Sequence, residues 1–314
     1  MPVILAVSLN PALDVTHHVA GVDWSGVNRP FQVAAAPGGK GLNVARTLHA
    51  LGCDVLVAGL AGGVTGEAVR AGLAAAGVPG TFTPIAGETR RTFAVVDTAS
   101  HDTALFNEPG PAVSAGEYAG FLVLYEKSLT GCDAVVLSGS LPPGLPPDSY
   151  AGLTARAAAA GVPVVLDAGG TALRHGAAAG PAIAKPNLAE LADAVGRPLP
   201  DRAAAAAAAA ELHAAGAGAV VVSLGGDGLL AVTGDGTWHA APPARVAGNP
   251  TGAGDAVVAG LAHGLVLGRP WPERLRHAAA LGTAAVAAPG AGQFAAADYR
   301  RALAGTRVTE WAGR

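Results

Sequence analysis

Six short stretches of the chain are apolar almost without interruption: VILAVSL (3–9), DVLVAGLAG (54–62), DAVVLSGS (133–140), VPVVLDAG (162–169), PAIAKPN (181–187) and AVVVSLGG (219–226). Strands that are apolar throughout, rather than at every second position, are what a sheet buried on both faces requires. Stretches of helical character lie between them, at 41–51, 65–77, 114–129, 148–160, 187–195 and 201–215. This alternation predicts an α/β fold, with a mostly parallel sheet covered by helices on both sides. The eight alanines at 203–210 are the best helix former in a helix slot and need no functional account. Beyond about residue 252 the pattern becomes helix-rich, at 252–267, 272–288 and 297–303.

Two segments break the alternation. Residues 13–36 and 88–108 read as period-2, half-exposed strands with no long helix between their members. They predict a small antiparallel sheet, inserted twice into the main domain and placed as a lid over a site. The plainer alternative is an edge hairpin extending the main sheet. No internal repeat and no linker is visible, so residues 1–314 are expected to form one domain with this lid.

Composition narrows the function classes. A chain of 314 residues that is 51% hydrophobic can bury a large core. Only 14% is charged and the net charge is −3, so nothing points to nucleic acid or a membrane surface. Few aromatics weigh against a base-stacking surface. Cys53 and Cys132 sit in apolar contexts and are expected to be buried free thiols in a reducing, cytoplasmic setting. The opening MPVILAVSLNP has no basic segment or cleavage site and reads as a first strand. No stretch of about 18 residues is apolar enough to predict a membrane span.

Two glycine-rich turns carry the candidate chemistry. The first is NPTGAGDAVVAGL (249–261), where Gly252 and Gly254 flank Ala253 at the start of an apolar helix. Each glycine inside a helix costs about 1 kcal/mol relative to alanine, and this chain uses alanine freely. Helix N-termini beyond the carboxyl ends of parallel strands bind anions, and bare backbone lets a phosphate approach. Asp255 would repel that phosphate unless it serves to take a proton from an attacking hydroxyl. As a mere counterweight to the helix dipole it would leave both glycines unexplained. The second turn is PGGKGLNVARTLHALG (37–52), which matches neither the Walker A loop nor GxGxxG, since Val44 stands where the third glycine should be. Its Lys40 and Asn43, at a helix start, suit polyhydroxyl or phosphate groups, or else a tight turn with a solvated lysine.

Taken together, GGKGLNVA (38–45) and NPTGAGDAVVAG (249–260) resemble the two signatures of the ribokinase-like (PfkB) carbohydrate kinases. The likeness runs along nearly the whole chain. NPALD (10–14), TRRT (89–92), NEPGP (107–111), SGSLPPG (138–144), KPNLAEL (185–191) and SLGGDG (223–228) follow in the family's order. They are similar to the branch containing 1-phosphofructokinase and tagatose-6-phosphate kinase. The resemblance implies a three-layer α/β/α ribokinase-like fold with a β-lid that serves as a homodimer interface. It implies ATP- and Mg²⁺-dependent phosphorylation of a sugar hydroxyl, with Asp255 as general base and the amides of Gly252, Ala253, Gly254 and Asp255 as anion hole. Asp14, Gly38, Gly39, Lys40, Asn43, Arg90 and Ser138 would hold the substrate, with Arg91 the rival of Arg90. Lys185, Asn187, Ser223, Gly225 and Gly228 would serve the nucleotide and Glu190 the metal.

The family pattern is not followed everywhere. Pro250 replaces a small or β-branched residue. Asn249 stands where many relatives carry a carboxylate that helps bind a monovalent cation, which weakens the expectation of potassium activation. TRRTF lacks the Asn or Gly character usual after the arginine. A cation at Lys40 and another at Arg90 favour a sugar phosphate over a neutral sugar, with fructose 1-phosphate the leading substrate. Tagatose 6-phosphate and fructose 6-phosphate are the alternatives. A nucleoside or free-sugar kinase, or a catalytically silent sugar-phosphate sensor, fits less well.

Overall fold

The apolar runs pair into one ten-stranded sheet in the computed structural model, which describes residues 2–100, 102–246 and 248–313. The chain begins β1 (Val3–Ser8), β2 (Ala12–Val19), β3 (Gln32–Gly38), α1 (Lys40–Ala50), β4 (Asp54–Ala61), α2 (Gly63–Ala75), β5 (Gly80–Pro84), β6 (Arg90–Asp97) and β7 (Thr103–Asn107). It continues α3 (Ala115–Ser128), β8 (Ala134–Ser138), α4 (Ser149–Ala159), β9 (Val164–Asp167), α5 (Gly170–Ala178), β10 (Ile183–Ala184), α6 (Leu188–Val195), α7 (Arg202–Ala214) and β11 (Ala219–Ser223). It ends β12 (Leu229–Thr233), β13 (Gly236–Ala241), α8 (Ala253–Val266), α9 (Trp271–Val286), α10 (Ala296–Gly305) and β14 (Arg307–Glu310).

The large sheet has the order β14-β13-β12-β11-β10-β9-β8-β1-β4-β5. From β5 to β11 every neighbouring pair is parallel, and β12, β13 and β14 extend the sheet antiparallel. Successive side chains of a strand point to opposite faces, and both faces here are covered. Leu5 and Val7 join one cluster with Phe121, Tyr125 and Leu153 of α3 and α4. Ile4 and Ala6 join another with Leu42 and Leu48 of α1 and Leu261 of α8. The three layers follow from that division.

The antiparallel edge, the short strand β5 and the helix α5 are absent from the sequence reading. Strands of four to six residues give too few periods to separate from loop, and α5 contains Gly170, Gly176 and His175 in a weakly patterned segment.

Residues 13–36 and 88–108 do form a separate sheet, ordered β3-β2-β6-β7. One expectation is corrected. The sheet is mixed rather than antiparallel, because its central pair, β2 and β6, is parallel. The reason is topological. β1 and β5 are both strands of the parallel array, and the chain leaves each of them to enter the small sheet in the same direction. The strands that continue them therefore run side by side, and only the returning strands β3 and β7 are antiparallel.

Candidate active site

The starting points of α1, α6 and α8 gather beyond the carboxyl ends of β1, β8, β9 and β10. Gly252, the cap of α8, has a left-handed φ of 84°. A β-carbon there would also come within 2.7 Å of Ala291. Alanine is therefore excluded by conformation and by space. The Ala253 amide is engaged by the Pro250 carbonyl at 3.1 Å. The amides of Gly254 and Asp255 donate to no backbone carbonyl among the described residues, as is usual for the first amides of a helix.

Asp255 lies in the first turn of α8 and is only 6% exposed. Asn43, one turn into α1, donates its side-chain amide to Asp255 Oδ2 at 2.9 Å. Burial pushes the Asp255 carboxyl up to about 6, helped by the nearby negative charge of Asp167 and opposed by Lys40, Asn43 and Lys185. A carboxyl so placed can change protonation state near neutral pH.

Asp167, at the end of β9, is the charge centre that sequence reasoning missed. It is 1% exposed and binds the Lys185 ammonium at 3.1 Å and that of Lys40 at 3.5 Å. Ser138 donates to its other oxygen at 3.0 Å. Burial alone would raise the Asp167 carboxyl, but the two lysines and Ser138 hold it below the usual range. Its sequence signal was the one ionisable side chain in VPVVLDAG, at the carboxyl end of a buried strand.

Lys40 also pairs with Glu190 Oε1 at 2.8 Å. Burial works against the Lys40 charge, yet Asp167 and Glu190 outweigh it and hold the ammonium above its ordinary range. Glu190 does double duty. Its other oxygen accepts the Asn187 amide, while Asn187 Oδ1 accepts the Glu190 amide, both at 2.8 Å. This reciprocal cap is what N-x-x-E produces at a helix start. Asn187 lies beside Ser223 in an isolated parallel bridge. Gly225 opens a single 3-10 turn, and Gly228 closes it against the Ala240 carbonyl, where no side chain fits.

At the other end stand residues of the small sheet. Asp14 accepts from the Thr92 hydroxyl at 2.5 Å. Burial raises its carboxyl, and Thr92, Arg90 and Arg46 oppose that. Gly38 is required here, since a β-carbon would sit 2.0 Å from an Asp14 oxygen. Arg90 donates Nε to the Asn10 carbonyl and Nη1 to the Glu108 carbonyl, each at 3.2 Å. Arg91, its neighbour on the opposite face, lies over the Phe93 ring and pairs with Glu108.

One cleft of about 1120 Å³ runs from Arg90 and Asp14 past Lys40 and Asp255 to Ser223 and Gly225. It is lined by every candidate residue except Gly38, Ser138 and Glu190. Two of these change place in the picture. Ser138 is buried behind Asp167 and fixes it; Gly139 and Ser140, beyond the end of β8, line the wall instead. Gly38 makes room for Asp14 and does not itself line the wall. Glu190 reaches the cleft through Lys40. The oxygen of Asn249 is engaged by the Thr251 amide at 2.9 Å.

The chain matches the profile of pfkB family carbohydrate kinases over residues 9–297. It belongs to that family. It is 39% identical over 284 residues to the 1-phosphofructokinase of Rhodobacter capsulatus, covering 90% of each chain. It is also similar to phosphofructokinase-2 from Escherichia coli, whose structure in complex with potassium superposes with a TM-score of 0.90 at 31% identity. The same enzyme in complex with fructose-6-phosphate gives a TM-score of 0.88 at 31% identity. Both matches cover 97% of this chain and 99% of the other. The ribokinase-like α/β fold is thus shared. As a carbohydrate kinase the chain is a phosphotransferase acting on a hydroxyl group, and its family works with ATP and a divalent metal. The donor set suits such a metal. Glu190 and Asp167 offer hard oxygens, while no group of three or more His, Cys, Asp or Glu closes on one point among the described residues. A cation held by one or two carboxylates, water and phosphate oxygens needs no closed cage.

Proposed function

We propose that this chain transfers the γ-phosphoryl group of ATP to a hydroxyl of a sugar phosphate, converting fructose 1-phosphate to fructose 1,6-bisphosphate. The observation that carries the reading is a buried carboxylate, Asp255, beside a glycine-capped helix start, in one cleft with Arg90 at the far wall. Asp255 accepts the proton of the acceptor hydroxyl. The hydroxyl oxygen bonds to the γ-phosphorus as the bond to the β–γ bridging oxygen breaks, and ADP leaves with that electron pair. The amides of Gly254 and Asp255 and the Lys185 ammonium stabilise charge on the transferring group.

Asp14 orients sugar hydroxyls and Arg90 takes the substrate's own phosphate. Lys40 stands between the acceptor and donor ends, tied to Asp167 and Glu190. Asn187, Ser223, Gly225 and Gly228 bound the nucleotide end. Glu190 would hold Mg²⁺, which when bound neutralises the phosphate oxygens. The small sheet acts as the lid, and its exposed apolar side chains are the homodimer contact.

The test is ADP release over a panel of ketose phosphates and free sugars, with and without potassium. Fructose 1-phosphate should give the highest kcat/KM. A higher value with fructose 6-phosphate or tagatose 6-phosphate would move the substrate assignment within the family. A preference for the free sugar would overturn the sugar-phosphate reading.

A further inference from the structure

The motifs NPALD, NEPGP and SGSLPPG lie far apart in the chain, yet they converge on one side chain. Asn10 occupies the link between β1 and β2 and is 6% exposed. Its amide nitrogen donates to the Pro109 carbonyl at 3.0 Å and to the Ser140 hydroxyl at 3.1 Å. A carbonyl can only accept, so the orientation of this amide is fixed. Its own carbonyl oxygen is buried with no partner among the described residues. Gly110 lies directly against that oxygen, where a β-carbon would approach to 2.3 Å.

Three crossings between the two sheets are tied together here. The chain passes into the small sheet at Asn10, enters it again at Arg90, and leaves it at Glu108–Pro109. Ser140 belongs to the main domain, just beyond β8. The guanidinium of Arg90 is held by two carbonyls of this knot, those of Asn10 and Glu108. Nη2 has no acceptor among the described residues, and Arg90 lines the cleft. An amide that leaves one buried acceptor unsatisfied is a poor choice for stability alone. It is a good choice for fixing a carbonyl and a hydroxyl at once.

We infer that Asn10 is a positioning residue for sugar-phosphate recognition: it pins the Glu108–Gly110 turn and Ser140 so that Arg90 presents Nη2 to the substrate's phosphate. This rests on the sugar-phosphate reading above. Asn10 lines the same cleft beside Arg90. It acts through Arg90, because a guanidinium free to swing loses paired donation to a phosphate.

The experiment is a double-mutant cycle. Wild type, Asn10→Ala, Arg90→Ala and the double variant are compared for KM of the sugar phosphate, KM of ATP and kcat. Asn10→Asp, which keeps the shape but cannot donate to Pro109, serves as a second variant, and Tm is measured for all. Asn10→Ala and Asn10→Asp should each raise KM for the sugar phosphate about tenfold and leave KM for ATP within about twofold. The double variant should lie within about threefold of Arg90→Ala, since the first substitution acts through the second. If wild type prefers the unphosphorylated sugar, the functional reading fails and this inference with it. If wild type prefers the sugar phosphate but the two effects multiply, or both KM values rise alike, or only Tm falls, the positioning role alone is overturned.

Discussion

Asp255 carries two predictions at the scale of a single residue. Asp255→Asn should lower kcat by about 10²–10⁴ and leave ATP binding intact, the range for a lost general base. Turnover within tenfold of wild type would remove Asp255 from that role. Wild-type kcat/KM should fall below pH of about 6, where the carboxyl takes up its proton. The second prediction concerns stability. The folded-state value is raised from 3.8, so the folded chain binds a proton more tightly than the unfolded one. This contribution is fully present below 3.8 and is lost as pH rises through about 6. Above that the buried carboxylate costs on the order of 2–3 kcal/mol. Asp255→Asn should raise Tm at pH 8 and change it little at pH 4, a comparison calorimetry can make. Lys40→Met offers a third test. It should raise KM for the sugar phosphate roughly ten- to a hundredfold by removing a charge-assisted contact. A rise confined to KM for ATP would assign Lys40 to the nucleotide.

At the scale of elements, the site depends on how helices begin. α6 starts with a cap in which Asn187 and Glu190 satisfy each other's amides, and the same Glu190 holds Lys40 of α1. Asn187→Ala should cost about 1 kcal/mol of stability. It should also raise KM for ATP, because the Asn187 side chain lines the nucleotide end of the cleft; the Glu190 carboxylate keeps its partner, the backbone amide of residue 187. Unchanged ATP kinetics with a lowered Tm would reduce the cap to a structural feature. The strand β6 makes a different point. Arg90 and Arg91 are adjacent and identical, and alternation along the strand sends only Arg90 into the cleft. Arg91→Ala is expected to leave KM for the sugar phosphate within twofold.

The whole molecule raises the question of what covers the small sheet. Phe31, Val33 and Phe106 are each more than half exposed on or beside it, and Trp24 and Val27 project from the loop between β2 and β3, whereas Leu105 faces the cleft. An apolar patch of this kind marks an interaction surface. The proposed homodimer predicts that Phe106→Asp halves the mass seen by sedimentation velocity. A wild type that sediments as a monomer at micromolar concentration would sink this. Among the described residues no helix is long and apolar enough to cross a membrane.

Local pattern determined the main domain. Continuous apolar strands and intervening helices need only nearest-neighbour chemistry, so β1, β4, β8, β9, β10 and β11 were legible, as were the helices packed on them apart from α5. The glycine-capped turn at 252–254 was legible for the same reason, since a left-handed cap and a crowded backbone leave a residue-level mark. Three features were decided only by tertiary structure. The parallel pairing of β2 with β6 depends on the direction of strands elsewhere in the chain. The withdrawal of Ser138 behind Asp167 depends on the pairing of β8 with β9, which sets the two residues side by side. Asp167 itself looked like the end of a strand. Its role arises because Lys40 and Lys185, 145 positions apart in the chain, are carried to one buried carboxylate. A long-range electrostatic centre leaves no local periodicity to read, because the low dielectric that gives it strength exists only once the chain has folded.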